Sequence, residues 1–457
     1  MNHILRLLAL GVALAAAAGC SSDAATGDLA AVDADASLAI DTTPAPDTAP
    51  APDTVAPPDT ADTADTAADD TAADDTAADD TGDDAGPDTV DATDDTAEPA
   101  DTTPPTIAAR CFPALASDDP SDPSPDYDQF PNLVAGSHCL GTNHQAITGV
   151  EKVVFLGDSV TVGTPNEQHL LSIDNSHFYR NLLAEWLATR FGLDRGEPVV
   201  SWGLWKAYDY VTGKGGLRES GDFRDCAKWG ARTDDLLDGG HQIPDCFPDG
   251  GSDATTLVVF TMGGNDIAAI TQKGGEASDE EADAGYPSVW ALAESTVAYL
   301  EEAIVWLKSP ERFPNGSYVV FANPYEFTDS TGDTDACTPQ DELVIPGIGS
   351  FDLSGLDIAV ASLAGYKPWK YPAQQAAMVV WILNEYARVA ADHQVDLLWM
   401  LEHFCGHGYV ATGPDADPAN RCYQGPDAEL WFDVSCIHPN EAGHRAIFEM
   451  FKAVIEE

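Results

Sequence analysis

The chain has 457 residues, with 77 acidic residues against 21 basic ones and a formal net charge of −56 at pH 7. A surface this acidic repels phosphate groups, which excludes nucleic acid and anionic lipid surfaces as binding partners. The acidity is shared by two regions: residues 23–109 hold 24 acidic residues and no basic one, while residues 110–457 still carry a net charge of about −33.

The first twenty residues predict a bacterial lipoprotein signal peptide. Arg6 precedes an apolar stretch at 7–18, and small residues then lead to Gly19 and Cys20. This is the order of a charged region, an apolar region and a cleavage site. The ending Ala-Ala-Ala-Gly-Cys resembles a lipobox, which implies that lipidated Cys20 is the only membrane anchor. No aspartate follows Cys20, which favours the outer membrane of the cell envelope; an ordinary signal peptide with a stray cysteine is the alternative.

Residues 21–109 predict a disordered acidic linker. Asp, Thr, Ala and Pro dominate, and the sequence Thr-Ala-Ala-Asp-Asp at 66–70 recurs at 71–75 and 76–80. Such a segment cannot bury enough apolar surface to offset the entropy lost on ordering. We therefore expect an extended spacer, with weak Ca²⁺ binding as the alternative.

Eight cysteines remain besides Cys20, and an even number in an exported chain favours disulfide bonds. A zinc site built from Cys405, His403 and His407 is the competing hypothesis, but the chain has no Cys-x-x-Cys pair. We expect no metal and no organic cofactor. The predicted bridges join Cys111 to Cys139 and Cys226 to Cys246, with two more among Cys337, Cys405, Cys422 and Cys436.

Residues 110–457 predict one α/β domain, because short apolar runs alternate with helical patterns. The runs are continuously apolar, which is typical of parallel strands buried on both faces. Strands are predicted at 152–156, 198–204, 256–262, 318–322 and 395–401, and helices at 175–191, 288–307, 372–393 and 440–455.

Four short segments combine residue types that catalysis needs with positions beside these elements. Gly-Asp-Ser-Val at 157–160 ends the first strand, and Gly-Gly-Asn-Asp at 263–266 ends the third. Gly230 lies in the loop between the second and third strands, ahead of a short helix predicted at 233–237, and His-Pro-Asn at 438–440 precedes the last helix. Ligand sites of open parallel sheets lie outside the carboxyl ends of the strands, so we expect all four segments there.

The four segments, in this order, resemble those of the SGNH (GDSL-type) hydrolases, a family named for a Ser, Gly, Asn and His that form one ester-cleaving site. The resemblance implies a three-layer α/β/α, flavodoxin-like fold with a mainly parallel central sheet of about five strands. It also implies that Ser159 is the nucleophile and His438 the base. The backbone N–H groups of Ser159 and Gly230 and the side-chain amide of Asn265 would then form the oxyanion hole.

The chain departs from the family pattern at the acid that orients the histidine. Most members place an aspartate three residues before the histidine, where this chain has Ser435. We expect Asp433 to take that role. Two alternatives stay open: a backbone carbonyl orients His438, or Asp427 or Glu429 does so from the preceding loop.

Other polar residues near the motifs receive structural roles. Asp158 and Asp266 are expected to hold their loops by accepting backbone hydrogen bonds. His403, His407 and His444 are interpreted as structural or exposed, with His444 on the final helix.

Residues 110–457 are expected to form the hydrolase domain, with insertions near 206–251 and 329–371. The first insertion is a candidate substrate wall, and the second is either a lid or a loosely packed surface segment.

The sequence thus predicts a monomeric, extracytoplasmic serine ester hydrolase that acts on small or lipid carboxylic esters through an acyl-enzyme. A carbohydrate O-acetyl esterase acting on polysaccharide or peptidoglycan is the alternative, and a non-catalytic surface-displayed binding protein is an alternative of another class. The aromatic residues available to stack on sugar rings are Trp202, Trp205, Trp229, Trp369 and Trp431.

Overall fold

The computed structural model describes most of the predicted domain and little of the chain before it. The signal peptide, Cys20 and the strand predicted at 198–204 lie outside the described residues, as does the linker up to residue 105. The predicted linker boundary at residue 109 is a few residues too late, because residues 107–109 form the start of a short helix, Ile107–Cys111, capped by Thr106. The described residues are 106–113, 115, 124–163, 176–196, 208–209, 214–215, 219–238, 240–332, 342–345, 349–352, 367–433 and 435–457.

The secondary structure alternates between strands and helices from residue 152 onward. No helix within the described ranges is long and apolar enough to cross a membrane. The strands are β1 (Lys152–Gly157), β2 (Tyr208–Asp209), β3 (Lys214–Gly215), β4 (Glu219–Ser220), β5 (Phe223–Asp225), β6 (Thr256–Thr261), β7 (Ser317–Ala322), β8 (Glu342–Ile345), β9 (Gly349–Asp352) and β10 (Asp396–Leu398). The α-helices are α1 (Ile107–Cys111), α2 (Ser159–Val162), α3 (Tyr179–Phe191), α4 (Gln242–Cys246), α5 (Gly264–Gly275), α6 (Asp279–Asp283), α7 (Pro287–Leu307), α8 (Pro372–His393), α9 (Met400–Phe404) and α10 (Glu441–Glu456), and 3₁₀ helices lie at Tyr127–Gln129 and Thr233–Leu236.

Within the described ranges, the central sheet has five parallel strands and one antiparallel edge strand, in the order β10, β7, β6, β1, β5, β4. The register places Gly157 of β1 opposite Thr261 of β6, and Thr261 opposite Ala322 of β7. Strands β1, β6 and β7 therefore end at the same level of the sheet. This architecture confirms the prediction of a mainly parallel sheet.

Alternate residues of β1 point to opposite faces of the sheet and belong to two separate cores. Val154 and Leu156 share one core with residues of α5, α7 and α8. Val153 and Phe155 share the other core with residues of α3 and α10. Burial on both faces explains why the predicted strands are continuously apolar, and it gives the expected three-layer α/β/α fold.

Most predicted elements match the structure within a residue or two, and the differences have local causes. The helix predicted at 175–191 begins later, at Tyr179. The strand predicted at 395–401 ends at Leu398, because helix α9 starts at Met400. Helix α5 was not predicted, since two glycines at 263–264 mark a loop in the sequence.

The segment at 206–251, expected to be an insertion, also contributes to the central sheet. Its strand β5 pairs in parallel with β1, with Val153 opposite Phe223. Of the second expected insertion, 329–371, the structure describes the ends and the antiparallel pair β8 and β9.

The disulfide pattern agrees with the prediction wherever the structure describes it. Cys436 is also disulfide-bonded. Cys337 lies outside the described residues, so the fourth pairing stays a prediction. The bridges described are Cys111–Cys139, Cys226–Cys246 and Cys405–Cys422.

Candidate active site

Ser159 is the first residue of α2, directly after the turn that ends β1. Asp158 caps this helix, since its carboxylate accepts hydrogen bonds from Val160 N–H at 3.0 Å and from Thr261 Oγ1 at 2.9 Å. Burial raises the pKa of Asp158 to about 6. The expectation that Asp158 holds this loop by accepting a backbone hydrogen bond is confirmed.

Gly157 makes the turn before Ser159 possible. Its φ is 126°, and a Cβ at this position would lie 2.5 Å from the backbone oxygen of Thr261, so a side chain does not fit. The buried amide of Gln242 holds the same residue, because Oε1 accepts from Gly157 N–H at 2.8 Å and Nε2 donates to its carbonyl at 3.0 Å. Gln242 lies on α4, which the Cys226–Cys246 bridge ties to the end of β5.

His438 lies directly opposite Ser159, with Nε2 2.9 Å from Ser159 Oγ. It belongs to a short segment, here called the histidine hairpin (residues 432–433 and 435–439), whose ends Phe432 and Pro439 form an antiparallel bridge. Tyr325, just after β7, donates its O–H to the carbonyl of Ile437 at 2.7 Å. Burial lowers the pKa of His438 to about 4, so the ring is neutral at pH 7 and able to accept a proton.

The other ring nitrogen of His438 meets a serine. Nδ1 lies 2.9 Å from Ser435 Oγ, and Ser435 Oγ in turn donates to Oδ1 of Asp433. Asp433 therefore lies one hydrogen bond beyond the position that we expected for it. Within the part of the chain that the structure describes, neither Asp427 nor Glu429 hydrogen-bonds the ring.

The loop that carries Gly230 lies alongside the turn at Ser159. The N–H of Lys228 donates to the carbonyl of Gly157 at 3.0 Å. The indole N–H of Trp229 donates to the carbonyl of Gly163 at 3.0 Å, just past α2. Gly230 itself has a φ of 72°, a left-handed conformation that glycine adopts without strain.

Helix α5 fixes the far side of this loop through two consecutive residues. The Asn265 side chain donates one N–H to the carbonyl of Ala231 at 2.9 Å. Asp266 accepts from the N–H of Thr233 at 3.1 Å and from its hydroxyl at 2.9 Å, so its expected loop-holding role is confirmed. Burial raises the pKa of Asp266 to about 7.

Three N–H groups on these segments have no acceptor among the described residues. The backbone N–H groups of Ser159 and Gly230 donate to no acceptor among the described residues. The second N–H of Asn265 has no acceptor there either, since the contact to Ala231 is the one hydrogen bond that the described residues give this amide. Such an arrangement can stabilise the charge that develops on a carbonyl oxygen during acyl transfer.

Other histidines occupy structural positions, as expected. His403 Nε2 contacts the carbonyl of Cys139 at 2.8 Å, and His444 on α10 is 1% exposed. His407 stacks on the indole of Trp431. Among the residues that the structure describes, no group of three or more potential metal ligands comes together.

Two residues of the site were missed by the sequence analysis. Gln242 gave no signal, because its partner Gly157 is 85 residues away. Ser435 drew attention only because it occupies the position at which most family members have an aspartate. The spacing of Asp433 and Ser435 was a usable signal, since aspartate side chains commonly accept the N–H two residues on, as Asp433 does at 2.8 Å.

A model of the GDSL-like Lipase/Acylhydrolase family matches residues 153–451 of this sequence. The match covers more than half of the chain and includes all four motif segments. The chain belongs to this family. It is therefore a serine ester hydrolase, and the resemblance inferred from the four segments is confirmed.

Comparisons with individual proteins add little beyond the family. The sequence matches no curated protein. An extracellular lipase of Streptomyces rimosus has 17% identity and a TM-score of 0.33, over 67% of this chain and 100% of the lipase. Phospholipase A1 of Streptomyces albidoflavus has 18% identity and a TM-score of 0.34, over 66% of this chain and 99% of the phospholipase.

Proposed function

We propose that this GDSL-family chain hydrolyses carboxylic esters outside the cytoplasm, through an acyl-enzyme intermediate on Ser159. The observation that carries the proposal is the 2.9 Å contact between Ser159 Oγ and the neutral ring of His438, beside uncommitted N–H donors. A hydroxyl nucleophile needs an adjacent base and an oxyanion site, and these residues supply both. The same contact argues against a non-catalytic binding protein.

The proposed reaction proceeds in two displacements. In the first, Ser159 Oγ attacks the ester carbonyl carbon while His438 Nε2 takes the hydroxyl proton. The resulting oxyanion accepts hydrogen bonds from the N–H groups of Ser159 and Gly230 and from Asn265 Nδ2. His438 then gives the proton to the leaving alcohol. In the second displacement His438 takes a proton from a water, whose oxygen attacks the acyl carbonyl carbon. The bond to Ser159 Oγ then breaks, His438 gives its proton to that oxygen, and the carboxylic acid leaves.

Small or lipid carboxylic esters are the proposed substrates. A carbohydrate O-acetyl esterase is the second candidate, and Trp229 favours it. This half-buried indole lies one residue from Gly230 and donates to the carbonyl of Gly163, just past the helix that begins at Ser159. Trp369 does not support it, since its side chain is 3% exposed and packs on Tyr286. Trp202 and Trp205 lie outside the described residues.

We also propose that the enzyme works in the cell envelope, held by a lipid on Cys20. Disulfide bonds persist in oxidising compartments, and the three bridges that the structure describes support an exported protein. Replacing Cys20 with alanine should move the protein from the membrane to the soluble fraction. An unchanged membrane fraction would contradict the lipid anchor. A monomeric state stays a prediction.

The test of the proposed reaction is a substrate profile with pre-steady-state kinetics. Purified protein is assayed on chromogenic esters of increasing acyl length, on acetylated xylan and on acetylated peptidoglycan. We expect turnover of the chromogenic esters, with a burst of alcohol equal to the active sites when deacylation is slow. Much faster acetate release from xylan than from any simple ester would favour the O-acetyl esterase, and no turnover on any ester would contradict both candidates.

A further inference from the structure

The side of His438 that faces away from Ser159 has an unusual set of partners. Nδ1 lies 2.9 Å from Ser435 Oγ, and the backbone N–H of His438 donates to the same oxygen at 3.2 Å. A neutral ring whose Nε2 accepts the Ser159 hydroxyl must carry its proton on Nδ1. Ser435 Oγ therefore accepts two hydrogen bonds from His438.

The hydroxyl proton of Ser435 points away from His438. It is donated to Asp433 Oδ1, and that oxygen also accepts the N–H of Ser435 at 2.8 Å. The hydroxyl is the donor and the carboxyl oxygen the acceptor, and the proposed relay takes Asp433 as the carboxylate, which has no proton to donate. Asp433 is 3% exposed and Ser435 is 8% exposed, which leaves bulk water little access to either contact.

We propose that Ser435 is a positioning residue that relays the charge of Asp433 to His438. The inference rests on the proposed roles of Ser159 and His438. Because the Ser435 proton is committed to Asp433, Ser435 Oγ acts only as an acceptor toward the ring. This keeps the histidine proton on Nδ1 and leaves Nε2 free to take the proton of Ser159.

The relay differs electrostatically from a direct aspartate. When His438 becomes an imidazolium, its charge faces a hydroxyl oxygen, and the carboxylate lies one hydrogen bond further away. Coulomb attraction falls with distance, so the relay stabilises the imidazolium less than a contacting carboxylate would. Among the described residues, other ionisable groups near this turn are His444, Tyr325, whose hydroxyl donates to the carbonyl of Ile437, and Asp158, next to Ser159 in the chain. Burial lowers the pKa of His444 well below its usual range, so it adds no charge near neutral pH.

Three substitutions at one position test the relay on chromogenic esters. Ser435→Ala removes the relay, and we expect kcat to fall by about 10- to 100-fold with little change in KM, less than the ~10⁴-fold loss for a directly bonded aspartate. Ser435→Thr keeps the hydroxyl and should restore most of the lost activity. Ser435→Asp places a carboxylate against Nδ1, which should raise the pKa of His438 and move the acid limb of the kcat/KM profile to higher pH.

Ser317→Ala is the matched control. Ser317 is also 8% exposed and donates its hydroxyl to the backbone carbonyl of Leu307, at the amino end of β7. We expect this variant to lose stability while its kcat and pH profile stay those of the wild type. A purely structural role for Ser435 would give Ser435→Ala the same behaviour and would overturn the relay.

Fluorophosphonate labelling separates the relay from the function on which it rests. No label at Ser159 in the wild type would contradict the nucleophile, and the relay with it. A label at Ser159 together with unchanged kcat in Ser435→Ala would contradict the relay alone. Should Ser435→Ala fail to fold, the comparison of wild type with Ser435→Asp decides, because an acid limb at the same pH in both would refute the charge relay.

Discussion

The proposed nucleophile and its base are held by two different kinds of structure. Ser159 follows a buried central strand whose neighbours on both sides are parallel strands. His438 lies in a hairpin within a long irregular stretch between α9 and α10. Sheet pairing holds the strand that leads to Ser159, and the side chains of Asp158 and Gln242 fix the turn that follows it. Among the described residues, the segment around His438 has no sheet beside it, and side chains hold it to the rest of the domain.

The stretch before the histidine hairpin depends on one buried carboxylate. Asp329 is fully buried, and its two oxygens accept four backbone N–H groups at 2.8 to 3.1 Å. Closer to the histidine, Asn440 donates to the carbonyls of Leu430 and Phe432, and it accepts from Gly443 N–H to cap α10. These contacts replace the ladder of a sheet. The four N–H groups on Asp329 belong to Gly406, Gly408, Val410 and Ala411.

The largest expected effect comes from breaking the contact between the two regions. Ser159→Ala removes the proposed nucleophile and His438→Ala the proposed base, and either change should lower kcat by about 10⁴-fold or more. The double variant should be no worse than the single ones, because the two residues act as a unit. Steady-state kinetics on a chromogenic ester give the comparison. Multiplicative losses in the double variant would mean that the residues act independently.

The next effect concerns the donors on the sheet side. Asn265→Ala should lower kcat by ~10²–10³-fold and leave KM nearly unchanged, because an oxyanion donor acts mainly in the transition state. Asn315→Ala is the control, since that exposed amide also donates to a backbone carbonyl, at 2.6 Å, but near the amino end of β7. A rise in KM alone for Asn265→Ala would make Asn265 a ground-state binding residue instead.

A substitution on the histidine side should act on stability. Asp329→Asn turns one acceptor oxygen into a donor and leaves two N–H groups unsatisfied, so we expect a loss of about 2–4 kcal/mol in the free energy of unfolding. Urea titration measures it. Asp392→Asn, which loses only an exposed ion pair with Arg388, should cost less than about 1 kcal/mol. Equal losses in both variants would show that the four hydrogen bonds to Asp329 do not stabilise the fold more than an exposed ion pair does.

The smallest expected effect is a pH dependence of stability. Burial raises the pKa of Asp158 to about 6 and the pKa values of Asp266 and Glu402 to about 7. The folded protein therefore holds these protons more tightly than the unfolded chain does. The stabilisation from these groups is complete below about pH 4 and is lost as the pH rises toward 7. Buried histidines act oppositely in the same pH range, because burial lowers the pKa of His438 to about 4 and lowers the pKa of His444 as well. The unfolded chain binds protons at these histidines more tightly, so their effect on stability is unfavourable near pH 5 and disappears as the pH rises. Glu301 also acts oppositely, but its pKa is lowered to about 2, so its contribution changes only below about pH 4.5.

Urea titrations at pH 5 and pH 8 test this sign. Wild type is compared with Asp266→Asn, whose side chain no longer titrates, so that the opposing histidines cancel. Between pH 5 and pH 8 we expect the free energy of unfolding to change less favourably in wild type than in Asp266→Asn, by about 1–3 kcal/mol. The same pH dependence in both proteins would contradict the raised pKa of Asp266.

The sequence predicted the region around Ser159 better than the region around His438. Continuous apolar runs predicted β1, β6 and β7, and the motif at 157–160 placed Ser159 at a strand end, because both signals are local. The partner of His438 could not be predicted in this way. Asp433 was expected to contact the ring, but the backbone of the histidine hairpin aims Ser435 there instead. Nothing local signals that Asp329 or Gln242 holds this site, since their partners lie far away in the sequence.

The central claim is that Ser159 is a nucleophile activated by His438. Its most direct measurement is the mass of the intact protein after a fluorophosphonate treatment, with peptide mapping of wild type, Ser159→Ala and His438→Ala. We expect one adduct on wild type, located at Ser159, none on Ser159→Ala, and greatly slowed labelling of His438→Ala. An adduct at another serine, or equal labelling of wild type and His438→Ala, would contradict the account.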